Sequence, residues 1–122
     1  QHYMHTPAVK KLIASTLLAE EYHLPKEKLI SGDPKQTIWQ HYTDKTQKFS
    51  TGIWQSEIGK WNINYTEEEF CQILEGVSII TDVAGNAAKV SAGESFVIPS
   101  GFAGTWEVVE KTKKIYVIYE DK

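Results

Sequence analysis

Two stretches decide the fold: Glu69-Phe70-Cys71-Gln72-Ile73-Leu74-Glu75-Gly76 and, further on, Gly93-Glu94-Ser95-Phe96-Val97-Ile98-Pro99-Ser100-Gly101. Each is a short run rich in β-branched, aromatic or other apolar residues, closed by glycine or Pro-x-Gly. That is how a strand runs into a tight turn. Side chains alternate along a strand, so Glu69, Cys71 and Ile73 share one face while Phe70 and Gln72 take the other. Gly76, Gly93 and Gly101 mark sharp turns, at least one of them with positive φ.

Working outward, the same period of two recurs at 37–42, 49–56, 60–65, 77–81, 87–90, 104–109 and 114–119. Gly85-Asn86 sits between two of these runs as a hairpin turn requires. Nine short strands at near-regular spacing imply an all-β sandwich or barrel, with no room for crossover helices. Ahead of them, Thr6-Pro7 reads as an N-cap followed by proline, and Val9, Leu12, Ile13 and Leu17 recur at helical spacing. A short N-terminal helix over 7–19 is therefore expected, then a polar connector ending in Gly32-Asp33-Pro34. The expected division is a helix and connector over 1–33 and a barrel over 34–122.

With 122 residues, 41% hydrophobic and 11% aromatic, the chain is long enough to bury one core. The net charge of -3 comes from interspersed signs without a Lys/Arg stripe, which argues against a nucleic-acid partner. No apolar run approaches the roughly 20 residues that cross a bilayer, so no membrane association is expected. Lys10-Lys11 followed by 12–19 imitates a signal peptide, but its apolar part is short and lacks a small-x-small cleavage site. Cys71 is the sole cysteine, which excludes an internal disulfide and a thiolate-rich zinc site and suits a reducing cytoplasm.

The glutamate, six residues and glycine of 69–76 resemble the end of the first cupin motif. The glycine, five residues and Pro-x-Gly of 93–101 resemble the start of the second. Gly101-Phe102-Ala103-Gly104-Thr105-Trp106-Glu107 and Lys114-Ile115-Tyr116-Val117-Ile118 narrow the likeness to small single-domain cupins similar to ethanolamine-utilisation cupins and the halves of ureidoglycine aminohydrolase. The resemblance, over about 30–119, implies a cupin-type jelly-roll barrel with an internal pocket, often in a homodimer.

It also implies where a metal would be held. A metal-binding cupin carries two histidines, one residue apart, just before the motif glutamate, and a third three positions after the Pro-x-Gly glycine. Here those positions are Ile63 and Tyr65, or Asn62 and Asn64, and then Gly104. One carboxylate does not hold a transition metal, so neither metal nor cofactor is expected. The histidines present, His2, His5, His23 and His41, lie outside both motifs, and only His41, alternating with Trp39, falls in an expected strand.

Chemistry then rests on Glu69. An inward carboxylate must be neutral, paired or hydrogen-bonded, and the candidate partners are Asn62, Asn64, Tyr65 and His41. Trp39, Trp54, Trp61, Trp106 and Tyr42 line a pocket or simply fill the core, and Cys71 reads as a packed small residue or a pocket thiol. Glu67 and Glu68 read as a solvated approach to the strand. The expected function is binding of a small molecule by Asn62, Asn64, Trp106, His41 and Cys71 around Glu69, without metal. The alternative is an aminohydrolase, lyase or isomerase using Glu69 and Tyr65 as catalytic proton-transfer groups, and a scaffold with a filled barrel stands third. Glu69→Gln is expected to leave the melting temperature within a few degrees of the parent.

Overall fold

The computed structural model describes residues 6–13 and 18–121. It contains nine antiparallel strands: β1 (Glu20–Tyr22), β2 (Leu29–Ser31), β3 (Gln36–Thr43), β4 (Phe49–Ser56), β5 (Gly59–Asn64), β6 (Glu68–Asp82), β7 (Ala87–Ser91), β8 (Ser95–Ile98) and β9 (Ala103–Tyr119). A single 3-10 turn, Lys26–Lys28, precedes β2.

β6 and β9 are about three times the length of a common strand and pair with each other along their whole length. Each serves two halves of the sheet. The first half of β6 pairs β8 and its second half pairs β7. The second half of β9 pairs β4, and its first half pairs β5. The result is a jelly roll: one layer ordered β1-β3-β4-β9-β6-β8, and another ordered β2-β5-β9-β6-β7.

The bend between the halves lies at Gly76, where φ is +88° and the β6–β9 register shifts. A Cβ there would meet the Lys111 carbonyl oxygen at 2.0 Å, so the chain requires glycine for both conformation and space. The register shift also changes which parity faces inward: Glu69, Cys71 and Ile73 are buried before it, Ser78 and Ile80 after it. Gly93 and Gly101 both have φ +90° and turn the chain at the ends of β8, as their motif positions require.

Between the layers lie Trp54, Trp61, Ile73, Ile80, Val108, Trp106 and Tyr116. The indoles of Trp54 and Trp61, and of Trp54 and Trp106, meet edge to face, with ring centroids 6.1 Å and 5.4 Å apart.

Two expectations are corrected. The N-terminal helix is absent from the described part of its span: residues 7–13 and 18–19 have no regular structure and are exposed, while 14–17 lie outside the described residues. A short amphipathic helix is stable only when its apolar face is packed, and Val9 and Leu18 are each 95% exposed. The stretch expected as a connector contributes β1 and β2, edge strands on β3 and β5. Among the described residues no helix is long and apolar enough to cross a membrane.

Candidate functional site

Cross-strand register builds the site. Ile38 of β3, Trp54 of β4, Lys114 of β9 and Ile73 of β6 stand opposite one another in successive strands, and the next inward rows bring in Tyr116 with Cys71 and Ile118 with Glu69. Paired residues share a face, so Lys114 projects between the layers together with Glu69. Its Nζ lies 2.9 Å from Glu69 Oε2, and both side chains are only 5% exposed. The same ammonium sits 4.3 Å from the Trp106 ring centroid and 4.7 Å from that of Trp54. A carboxylate and two indole faces thus replace the water that a buried cation loses.

Burial works against the charge of Lys114, but Glu69, with help from Tyr65 and Cys71, outweighs it and holds the ammonium above its ordinary range. Burial raises the Tyr65 phenol well above its ordinary range, and Lys114 only partly opposes it. The Cys71 thiol is likewise pushed up to about 12, chiefly by burial. With both groups raised, the phenol and the thiol are protonated beside Glu69 at neutral pH, and a thiol in this state is a poor nucleophile.

Beside the pair is a cavity of about 200 Å³, walled by Trp54, Trp61, Trp106, Tyr65, Tyr22, Gln36, Tyr116, Ile38 and Ile118, with Glu67 at its edge. Tyr22 comes from edge strand β1, opposite Gln36 of β3. Trp54 Nε1 donates to Gln36 Oε1 at 3.1 Å, and Tyr116 OH donates to Gln40 Oε1. Gly52 makes room for Tyr116: a Cβ there would lie 2.6 Å from its hydroxyl.

Of the residues expected at the site, Glu69, Tyr65 and Trp106 line the cavity, and Cys71 is fully buried beneath the ion pair. Asn62 and Asn64 do not: both are exposed on the outer face of β5, in a groove with Val83 and Ala103. Alternation in β5 turns Trp61 and Ile63 inward and so sends the two asparagines out. His41 is also away from the cavity. It occupies the irregularity in β3 between Gln40 and Tyr42, where Nδ1 lies 3.1 Å from the Trp39 carbonyl oxygen. Neither the asparagines nor His41 partners Glu69. His23 pairs at the surface with Asp33, and His2 and His5 lie outside the described residues.

The glutamate strand, the bend at Gly76 and the Pro99-Ser100-Gly101 turn occupy the places that the cupin motifs assign them. The family model described as a EutQ-like cupin domain matches residues 43–116, more than half of the chain. This chain belongs to the EutQ-like cupins. No curated protein matches it. Among solved structures, the EutQ protein of Clostridium difficile is similar at 19% identity and TM-score 0.64, over 71% of this chain and 69% of that one. A predicted oxalate decarboxylase from Thermotoga maritima superposes with TM-score 0.72 at 14% identity, over 92% of this chain and 100% of the other. A DUF861 family protein from Thermotoga maritima is 31% identical over 52% of this chain and 73% of its own, with TM-score 0.51.

The side chains of this cupin do not fit the metal that many cupins hold. Ile63 and Tyr65 pack against the core, and neither offers a nitrogen ligand. A Cβ at Gly104 would lie 1.9 Å from the Thr81 carbonyl oxygen, so the third ligand position has no space for any side chain. Among the described residues no three His, Cys, Asp or Glu side chains converge. The cation beside the motif glutamate is the chain's own Lys114.

Proposed function

We propose that this cupin binds a small molecule in the cavity beside Glu69 and Lys114, without a histidine-ligated metal. One observation carries the reading: a buried ion pair borders open space. A buried pair is poor at stabilising a fold, and an apolar replacement of equal volume is often as stable, so its placement on a cavity wall favours a role in binding. The indole N–H resonances of Trp54, Trp61 and Trp106 report on the cavity. A library of single-ring fragments is expected to yield binders that shift these three resonances. Binders that move only surface residues, or none at all, overturn the reading.

A second reading, proton transfer by Glu69 within a lyase, isomerase or aminohydrolase, is favoured by Tyr65 and Glu69 lining the same cavity. Tyr65→Phe, which keeps the ring, would then abolish turnover of any substrate found while leaving its binding intact. A homodimer in the cytoplasm belongs to the same proposal. Phe70 and Val97, adjacent across β6 and β8 on the outer face, are 41% and 57% exposed and supply apolar surface for a second copy.

A further inference from the structure

The chemistry of the cavity wall narrows the ligand further, on the assumption that the cavity is the binding site. An indole N–H only donates, so its 3.1 Å contact with Gln36 fixes which way that carboxamide faces: oxygen toward Trp54, NH2 away from it. Gln36 is 2% exposed and lines the cavity, and its Nε2 has no hydrogen-bond partner among the described residues. Lys114 is held by Glu69 and two indole faces, Trp106 Nε1 donates to Ser78, and Tyr116 OH donates to Gln40, so among the described residues of the wall Gln36 Nε2 is the fully buried polar side-chain atom left without a partner. A buried donor left unmade is rare in folded proteins, and a ligand acceptor would complete it.

Charge decides what kind of acceptor. Among the described residues the wall carries two carboxylates, Glu67 and Glu69, against one cation, Lys114, which Glu69 already neutralises. A carboxylate ligand would find no free cation and would face Glu67. A cationic ring without a carbonyl, such as an amidinium, has no acceptor for Gln36 Nε2 to bond, and Lys114 already covers the Trp54 and Trp106 faces. At about 200 Å³ the space falls below the roughly 300 Å³ at which drug-sized pockets begin, and three tryptophans and three tyrosines make up half of its lining. We infer that the cavity selects an uncharged, flat, single-ring molecule that presents a carbonyl oxygen to Gln36 Nε2, the class of neutral cyclic or aromatic amides and ketones.

Benzamide, benzoate and benzamidinium have the same shape and differ in charge, and acetophenone and ethylbenzene differ by the carbonyl oxygen. Each is titrated into the full chain at pH 7 while the indole N–H resonances are followed. Benzamide is expected to bind at least tenfold tighter than either charged isostere, and acetophenone at least tenfold tighter than ethylbenzene. Gln36→Glu keeps the acceptor for Trp54 but removes the donor, and should reverse the order of benzamide and benzamidinium. The two wild-type comparisons stand even if that variant does not fold. Equal binding of acetophenone and ethylbenzene, or a preference for benzoate or benzamidinium, overturns the ligand class while leaving the cavity as the site. If none of the five shifts the three indoles, the cavity reading fails, and the ligand class with it.

Discussion

On either side of Gly76 the interior buries polar groups, and the two sets are built differently. After the bend, Trp106 Nε1 donates to Ser78 Oγ at 3.0 Å, Ser78 and Thr112 share a hydrogen bond of 2.7 Å, and Thr112 Oγ1 donates to the Glu110 carbonyl oxygen at 2.8 Å. This chain of neutral donors ends on the backbone, and of its members only Trp106 reaches the cavity described above. Before the bend, Glu69, Lys114, Tyr65 and Cys71 form a charged cluster beside open space, with the unpartnered Gln36 Nε2 on the same wall. Trp106 belongs to both, its N–H in the neutral chain and its face under the ammonium. A closed neutral network stabilises a fold, whereas a charged cluster bordering a void is costly to maintain and offers groups to a ligand.

The largest expected effect breaks the charged side. Lys114→Met or Glu69→Gln alone leaves one buried charge without its partner and should cost about 3–5 kcal/mol in urea unfolding, whereas the double variant should recover most of that loss. Lys114 thus reverses the expectation that Glu69→Gln is nearly silent. Single variants no worse than the double would show that the pair is too solvated to matter.

The second prediction uses the fact that only the charged side titrates. The folded-state pKa of Lys114 lies above its ordinary 10.5, that of Cys71 rises from 9.0 to about 12, and that of Tyr116 rises from 10.0 to about 12. Each is raised on folding, so the folded state holds more protons at alkaline pH. The contribution of these groups is fully present below about pH 9 and is lost as pH rises through the folded values. The melting temperature should fall steadily from pH 9 to 11, and Cys71→Ala should move the start of the fall toward pH 10. A profile flat to pH 11 would show that the cluster is not desolvated.

On the neutral side, Ser78→Ala leaves the Trp106 N–H without its acceptor and should cost about 1–3 kcal/mol while leaving probe affinity in the cavity unchanged. A loss of probe affinity equal to the loss of stability would show that the two sides act as one unit. The smallest effect is expected on the outer face, where Phe70→Ser should change the stability of an isolated chain by about 0.5 kcal/mol or less. A larger loss that depends on protein concentration would place Phe70 in a contact between copies.

Much of the barrel was legible in local pattern. The shared face of Glu69, Cys71 and Ile73, the turns at Gly76, Gly93 and Gly101, and the missing histidines follow from strand alternation, from glycine's tolerance of positive φ and from residue identity, none of which depends on distant parts of the chain. The inward direction of that face rested on the cupin resemblance. Asn62 and Asn64 were misplaced beside Glu69, although Trp61 and Ile63, which claim the interior of their strand, already implied that the asparagines face outward. Lys114 was not. From Lys114 to Ile118 both faces of β9 carry large apolar residues, Ile115 and Val117 on one and Tyr116 and Ile118 on the other, so alternation leaves open which face turns inward. The register with Ile73 and Trp54 decides it. Tyr22 reaches the cavity because β1 adds to the edge of β3, opposite Gln36. By itself the sequence determined the alternation, the turns and the absence of metal ligands, since these follow from backbone geometry and residue type. Only the tertiary structure decided that Lys114 is the cation facing Glu69 and that Gln36 lacks a partner, because cross-strand register between distant segments determines which side chains meet.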